Sequence, residues 1–295
     1  MTSSSDAYPV PATPYRATGS LRGRTILMSG GSRGIGLAIA RRAARDGANV
    51  VLLAKTGEPH ARLEGTVYSA AEELEAAGGS ALPLVGDVRN DDDVAGAVDA
   101  AVGRFGGIDI VINNASAIDL SPTDAVDMKR YDLMQDINVR GTFLLSKLAL
   151  PALRKSSGGH ILTLSPPLNL DPKWAGCHLA YTMAKYGMSL TTLGLAEELR
   201  GDGIRVNSLW PRTLIDTAAI RNMAGGESLA RAARGPEIMA DAAHAVLAGA
   251  GTKAGPFATG NFYTDEQVLA AAGVTDFRPY SVGAAEADLV PDIFL

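Results

Sequence analysis

The chain reads as an α/β protein built on one doubly wound parallel sheet of seven strands with helices on both faces, and three observations predict this. A short apolar run, Thr25 to Ser29, leads straight into a glycine-rich loop, Gly30-Gly-Ser-Arg-Gly-Ile-Gly36, and then into a helical stretch, Leu37 to Asp46, that stops at Gly47. A second apolar run, Ala48 to Ala54, completes strand, loop, helix and strand in about thirty residues, the unit that parallel strands require. Short apolar runs then keep alternating with helical stretches, with no internal repeat and no linker between them. That pattern calls for a single open sheet rather than two domains.

The later elements follow in order. Val67 to Ala77 reads as a helix closed by Gly78-Gly79, Ala81 to Val85 as the third strand, Asp91 to Phe105 as a helix, and Ile108 to Asn113 as the fourth strand. Asp127 to Lys155 is a long helical region, with bends expected near Gly141 and at Pro151. His160 to Ser165 is the fifth strand, His178 to Leu199 a helix without proline, and Ile204 to Leu209 the sixth strand. A looser region, Pro211 to Gly235, precedes a helix from Glu237 to Leu247, and Gly260 to Thr264 supplies the seventh strand. Residues 1–22, rich in Ser, Thr, Pro and Ala, are expected to be a flexible tail, and residues 23–264 a single domain. Residues 265–295 form an extension, with a short helix from Val268 to Gly273. Its Phe277, Tyr280 and Phe294 are expected to pack on that domain or on a neighbouring subunit.

Composition narrows the class. Of 295 residues, 46% are hydrophobic and 20% charged, which suits a large core in water. A net charge of −5 argues against a nucleic-acid binder or a polybasic membrane surface. The single cysteine, Cys177, excludes a disulfide within the chain and a multi-cysteine metal site, and points to a reducing compartment. No run approaches the roughly 18 apolar residues of a membrane span. The first twenty residues lack a signal-peptide core, and the final Asp-Ile-Phe-Leu is not a Ser-Lys-Leu type address. A cytoplasmic location is the expectation.

Two stretches carry chemistry. In the loop Gly30-x-x-x-Gly34-x-Gly36, glycines let the backbone turn sharply and approach a pyrophosphate at the positive end of the following helix. A carboxylate at the end of the second strand would hold the ribose hydroxyl of NAD. This chain has Lys55-Thr56 there, no acid before Glu58, and a second cation, Arg33, inside the loop. Two cations and no acid favour the 2′-phosphate of NADP(H) over NAD(H). In the second stretch, Tyr181 and Lys185 stand four apart and so share a helix face. Lys185 is the only charged residue between Tyr181 and Glu197, and a lone charge in a packed helix is costly unless it is paired or used. Taken alone, the pair is more often a snorkelling lysine beside a core tyrosine.

Context reverses that judgement. The glycine loop, Lys55-Thr56, Asp87-Val-Arg89, Asn113-Asn-Ala-Ser116, Ser165-Pro-Pro-Leu-Asn169, Ala180 to Met188 and Leu209-Trp-Pro211 follow one another in a specific order. Over roughly residues 23–264 the chain resembles the short-chain dehydrogenase/reductase family, most of all its hydroxysteroid dehydrogenase-like branch. The resemblance implies a Rossmann-type domain and an oxidoreductase that interconverts carbonyl and alcohol. It implies cofactor contacts from Gly30, Gly31, Ser32, Arg33, Gly34, Ile35 and Gly36, from Lys55, from Asp87 and Val88 beside the adenine, and from Asn114 and Ala115. Tyr181 would be the acid in reduction and the base in oxidation, and Lys185 would lower its pKa and hold the nicotinamide ribose. Asn138 would bend the long helix and hold a water near the lysine. A free tyrosine, with a pKa near 10, needs such help to exchange protons at neutral pH.

Two departures stand out. The family serine is usually the second of a Ser-Ser pair, whereas here the stretch reads Ser165-Pro166-Pro167, with Ser165 sixteen residues before Tyr181. Either Ser165 polarises the substrate oxygen across a loop insertion, or Pro166 has replaced the serine and another group such as Asn169 substitutes; Ser165 also suits a plain strand-end hydroxyl. Arg212 stands where the family commonly has glycine, beside the stretch Leu214 to Thr217 expected near the nicotinamide amide. Trp210, Leu214, Ile215, Ile220 and Met223 suggest an apolar cover and hence a small apolar carbonyl or alcohol substrate. The family resemblance implies a homodimer or homotetramer. A cofactor-binding regulator with little turnover is the rival reading.

Overall fold

The computed structural model describes residues 12–59, 65–223, 225–249 and 259–295. Seven parallel strands form one sheet in the order β3-β2-β1-β4-β5-β6-β7. They are β1 Thr25–Ser29, β2 Asn49–Ala54, β3 Ser80–Val85, β4 Ile110–Asn113, β5 His160–Thr163, β6 Arg205–Trp210 and β7 Phe262–Thr264. Alternation within each strand builds the two faces. Ile26, Met28, Val50, Leu52, Ile110 and Ile112 enter one core, and Leu27, Val51, Leu53 and Val111 enter the other. The first core is closed by α1 Gly34–Arg45, α2 Val67–Ala76, α10 Glu237–Ala248 and α11 Asp265–Ala271. The second is closed by α3 Asp91–Phe105, α5 Gly141–Leu153 and α7 Leu179–Glu198.

Strand register decides where a site can form. Leu53, Ser29, Asn113, Thr163 and Ser208 stand side by side across the carboxyl ends of five strands. Strand order reverses between β1 and β4, and ligands bind in the crevice outside such a switch point. The long helical region is α4 Met128–Met134, a π-helical turn Gln135–Arg140 and α5. The irregularity ends at Arg140, next to Gly141, near which a bend is expected, and Pro151 lies inside the last turn of α5. Three short helices, α6 Pro172–Cys177, α8 Ala218–Arg221 and α9 Gly226–Arg231, lie in the loops after β5 and β6.

Within the expected flexible tail of residues 1–22, Tyr15 and Leu21 pack on the domain; residues 1–11 lie outside the described part. Tyr15 and Leu21 are buried, and the Tyr15 hydroxyl lies 3.0 Å from His244 Nδ1. His244 Nε2 and the Leu21 amide both reach Asp46 Oδ2, at 2.8 and 2.7 Å. Average composition conceals two well-placed apolar residues. The extension packs on its own domain: the Tyr280 hydroxyl donates to Asp241 at 2.8 Å, and Phe277 lies under the Arg234 guanidinium.

Candidate active site

The glycine loop joins β1 to α1, and its close packing explains the glycines. Gly30 has φ 73°, and a Cβ there would come within 2.9 Å of the Ala115 backbone. A Cβ on Gly36 would lie 2.5 Å from Asn114 Nδ2, which itself donates to the carbonyls of Gly30 and Ser29 at 2.8 and 3.2 Å. Ser29 Oγ accepts from the amides of Asn114 and Ala115, both at 3.2 Å. The end of β4 thus clamps the loop. Gly31 faces inward, where a Cβ would strike Leu52 and Met28.

Above the loop lies a cleft of about 480 Å³, lined by Gly30, Ser32, Arg33, Gly34, Ile35, Gly36, Ala54, Lys55, Thr56, Asp87, Val88, Asn114, Ala115, Ser116, Ile137 and Thr217. Every expected cofactor residue except Gly31, Tyr181 and Lys185 is on this lining. No side chain caps the N-terminus of α1, so its first-turn amides are left for an anion. A dinucleotide therefore fits the residues present. At the far end, Lys55 Nζ lies 3.2 Å from Asp87 Oδ2 and is 58% exposed, while Arg33 donates to the Gly65 carbonyl at 2.7 Å. Hydrogen bonds from Arg89, helped by Lys55, outweigh burial and hold Asp87 down at about 2.

Ser116 leads into Ala117, which packs in the same cluster as Tyr181. Asn138, fully buried in the π-helical turn, accepts from the Ala117 amide at 2.8 Å and donates to its carbonyl at 3.0 Å. The asparagine expected to bend the helix therefore also fixes the loop after β4. On α7, Lys185 Nζ donates to the Leu164 carbonyl at 2.6 Å, touches Met188 Sδ at 3.3 Å and lies 4.8 Å from the centre of the Trp210 ring. A carbonyl, a thioether and an aromatic face replace water around the ammonium. Among the described residues the Tyr181 hydroxyl has no hydrogen-bond partner.

Burial governs the electrostatics here. It raises the Tyr181 phenol above its ordinary value, with Asp292 adding to the effect, and brings Lys185 down to about 7 against the pull of Asp292. Asp292 is itself pushed up to about 7 by burial, with Asp265 adding and Lys185 opposing. Lys185 is not among the groups acting on the Tyr181 phenol, so the expected lowering of its pKa is absent here, and burial with Asp292 moves it the other way.

Ser165 is fully buried, its Oγ 2.8 Å from Ser208 Oγ, which in turn donates to Thr192. It is tied into the packing of β5, β6 and α7. Asn169 presents its amide nitrogen 3.2 Å from the Phe294 carbonyl, and its own carbonyl accepts from the Tyr186 hydroxyl. Of the expected cover, Trp210 lies over Lys185, but Ile215 belongs to the main core. The rings closest around Tyr181 are His178 and Phe294, and Phe294 also meets Trp174. Trp174, His178 and Asp292 were not singled out by the sequence; the aromatic residues of the extension were the one signal.

A short chain dehydrogenase family profile matches residues 24–226. The chain belongs to the short-chain dehydrogenase/reductase family. Such enzymes are oxidoreductases that use NAD(P). This chain is 54% identical over 278 residues to hydroxysteroid dehydrogenase-like protein 2 of Xenopus laevis and 51% identical to that of Homo sapiens. Each alignment covers 94% of this chain and 65% of the relative, so the chain spans just under two thirds of the length of these relatives. A crystal structure of a short chain dehydrogenase from Mycobacterium thermoresistibile superposes with a TM-score of 0.86 at 52% identity, covering 94% of this chain and 96% of that one. No helix among the described residues is long and apolar enough to cross a membrane.

The raised pKa of Asp292 has a measurable consequence. The folded protein keeps a proton on this carboxyl that the unfolded chain loses, so stability falls as pH rises from about 4 to about 7 and the cost is fully present above that. Asp292→Asn mimics the protonated form. It is expected to melt roughly 2–4 °C above the unmodified protein at pH 8 and level with it near pH 4, read by thermal denaturation. A lower melting point at pH 8 would mean that attraction to Lys185 outweighs burial.

Proposed function

We propose that this chain is an NADP(H)-dependent oxidoreductase that interconverts a carbonyl and an alcohol on an apolar small molecule. The observation that carries the reading is the placement of Tyr181 and Lys185 on one face of α7, in a cluster joined through Ala117 to the cleft at the start of α1. The nicotinamide, when bound, supplies or accepts the hydride. In reduction, the Tyr181 hydroxyl gives its proton to the substrate oxygen; in oxidation, the phenolate takes it back. Lys185, charged when water and cofactor reach it, stabilises that phenolate and holds the ribose. Asn138 keeps the loop at Ala117 in register and holds a water near the lysine. Gly30 to Gly36, Asn114 and Ala115 hold the pyrophosphate and the strand ends, and Asp87 and Val88 face the adenine.

Lys55 and Arg33 support a 2′-phosphate, for which Asp87 competes at Lys55. The aromatic surroundings of Tyr181 support an apolar substrate. Because Ser165 is tied to Ser208, we assign the polarising donor to Asn169 and a packing role to Ser165. The exposed residues Phe143 on α5 and Leu179, Met183, Leu190 and Leu193 on α7 support a homodimer or homotetramer, which a molar mass by light scattering checks. A monomer would reject that assembly. The regulator reading draws support from one feature, the closure of Phe294 over Tyr181.

The test is reduction of a carbonyl panel by the whole chain. NADPH is expected to give the higher kcat/KM, Tyr181→Phe to lose turnover by about a hundredfold or more, and Ser165→Ala to stay within about tenfold. A preference for NADH would reject the assignment of Lys55 and Arg33. Tight NADPH binding with no turnover on any carbonyl would favour the regulator.

A further inference from the structure

Phe294 is fully buried, and its ring is enclosed by five others. Centroid distances are 5.3 Å to Tyr186, 5.7 Å to His178, 6.0 Å to Trp174 and to Trp210, and 6.2 Å to Tyr181. The contact with Tyr181 is a near-parallel stack, at 26° between planes. Phe294 also has φ 76°, and among the described residues no other non-glycine has a positive φ. A bulky L-residue takes that conformation only where its surroundings impose it, and such positions gather at ligand clamps and switches.

Besides the five rings, a short set of hydrogen bonds holds the segment, among them Val290 N to Ala232 O at 3.0 Å. Asn169 donates to its carbonyl at 3.2 Å, and Trp210 Nε1 donates to the Ile293 carbonyl at 3.0 Å. Upstream, the segment runs antiparallel to residues 212–214, through Asp292 N to Arg212 O at 3.1 Å and Leu214 N to Val290 O at 2.9 Å. It belongs to no strand of the central sheet. A segment tied by so few backbone bonds, with one side chain under backbone strain, can leave its place without unfolding the domain.

We propose that the box formed by Trp174, His178, Tyr186 and Trp210 beside Tyr181 is the subsite for a flat apolar group of the substrate, and that residues 290–295 are an internal plug whose Phe294 fills it until substrate displaces it. The inference rests on the reading of Tyr181 as the acid and base. The plug presents the chemistry the site is built to take, an aromatic ring stacked on Tyr181 and a carbonyl accepting from the Asn169 amide. An aryl aldehyde or aryl ketone carries the same two features. While the plug is in place Tyr181 is buried, 5% exposed, so departure of the plug is what admits substrate to the hydroxyl.

The chain has two tryptophans, and both line the box, so their emission reads its occupancy directly. The experiment titrates the whole chain, without cofactor, with 2-naphthaldehyde and follows tryptophan quenching. A plug lowers apparent affinity by the fraction of molecules that are open, so Phe294→Ala is expected to bind about tenfold or more tighter than the unmodified chain, and Phe294→Tyr to bind like it. Equal affinities for the Phe294→Ala protein and the unmodified chain, or no quenching in either, would overturn the proposal. Hydrogen exchange on the unmodified chain gives an independent reading should Phe294→Ala fold poorly. Residues 290–295 are expected to lose protection when the aldehyde binds; retained protection with the aldehyde bound would overturn the plug. Adding NADPH separates the two ideas. Tighter binding without turnover keeps the plug and rejects the reductase, whereas turnover with unchanged affinities keeps the reductase and rejects the plug.

Discussion

The arrangement depends on one ammonium held out of water. Lys185 is buried on a helix with no acid beside it, and its hydration is replaced by the Leu164 carbonyl, the Met188 sulfur and the face of Trp210. These partners come from the residue after β5, from the next turn of α7 and from the end of β6, so the charge is satisfied only when those parts of the chain meet. None of them neutralises it, which is why burial can bring its pKa down to about 7. Asp292, from the other end of the chain, supplies the nearest opposing charge, itself raised by burial. A structural lysine could have reached water along its stem. This one is held inside, one helical turn from Tyr181.

Polar contacts at the strand ends hold together the loops around the cofactor-sized cleft at the start of α1, whose lining does not include Lys185. Ser29 and Asn114 lock the glycine loop to β4, Asn113 donates to Ser146 of α5 at 3.0 Å, and Asn138 locks the loop after β4 to the π-helical turn. Each pairs a polar group that would be costly to leave unpaired, and the Ser29 and Asn114 contacts fix the glycine loop that lines the cleft. The π turn has a plain role in this scheme. It lets Asn138 face the Ala117 backbone with both ends of its amide.

Strand positions, their parallel order and the glycine loop were legible in the sequence because local signals and global packing agree there. Each buried strand is a short β-rich run, and Gly30, Gly31 and Gly36 sit where a Cβ would collide. The pair Tyr181 and Lys185 was legible by spacing and by the absence of other charge around it. Less legible were features set by distant contacts. Ser165 stands at a strand end, and no local signal shows that its hydroxyl pairs with Ser208, on the next strand. The packed start at Tyr15 lay in a stretch whose composition reads as tail. The aromatic box needed Trp174, His178 and Phe294 to meet across more than a hundred residues, and no local pattern encodes that. Asp292 gave no signal at all, since a lone aspartate near a chain end reads as surface.

The central claim is that Tyr181 passes the proton in a hydride-transfer reaction run from this cleft. The most direct measurement uses NADPH carrying deuterium at C4 of the nicotinamide and an aryl aldehyde, with the alcohol product weighed by mass spectrometry. The account predicts deuterium in the product carbon with the unmodified protein and no labelled alcohol above background with Tyr181→Phe. Labelled alcohol from both proteins in equal yield would contradict the role given to Tyr181. No labelled alcohol from the unmodified protein would contradict the claim that it reduces this carbonyl.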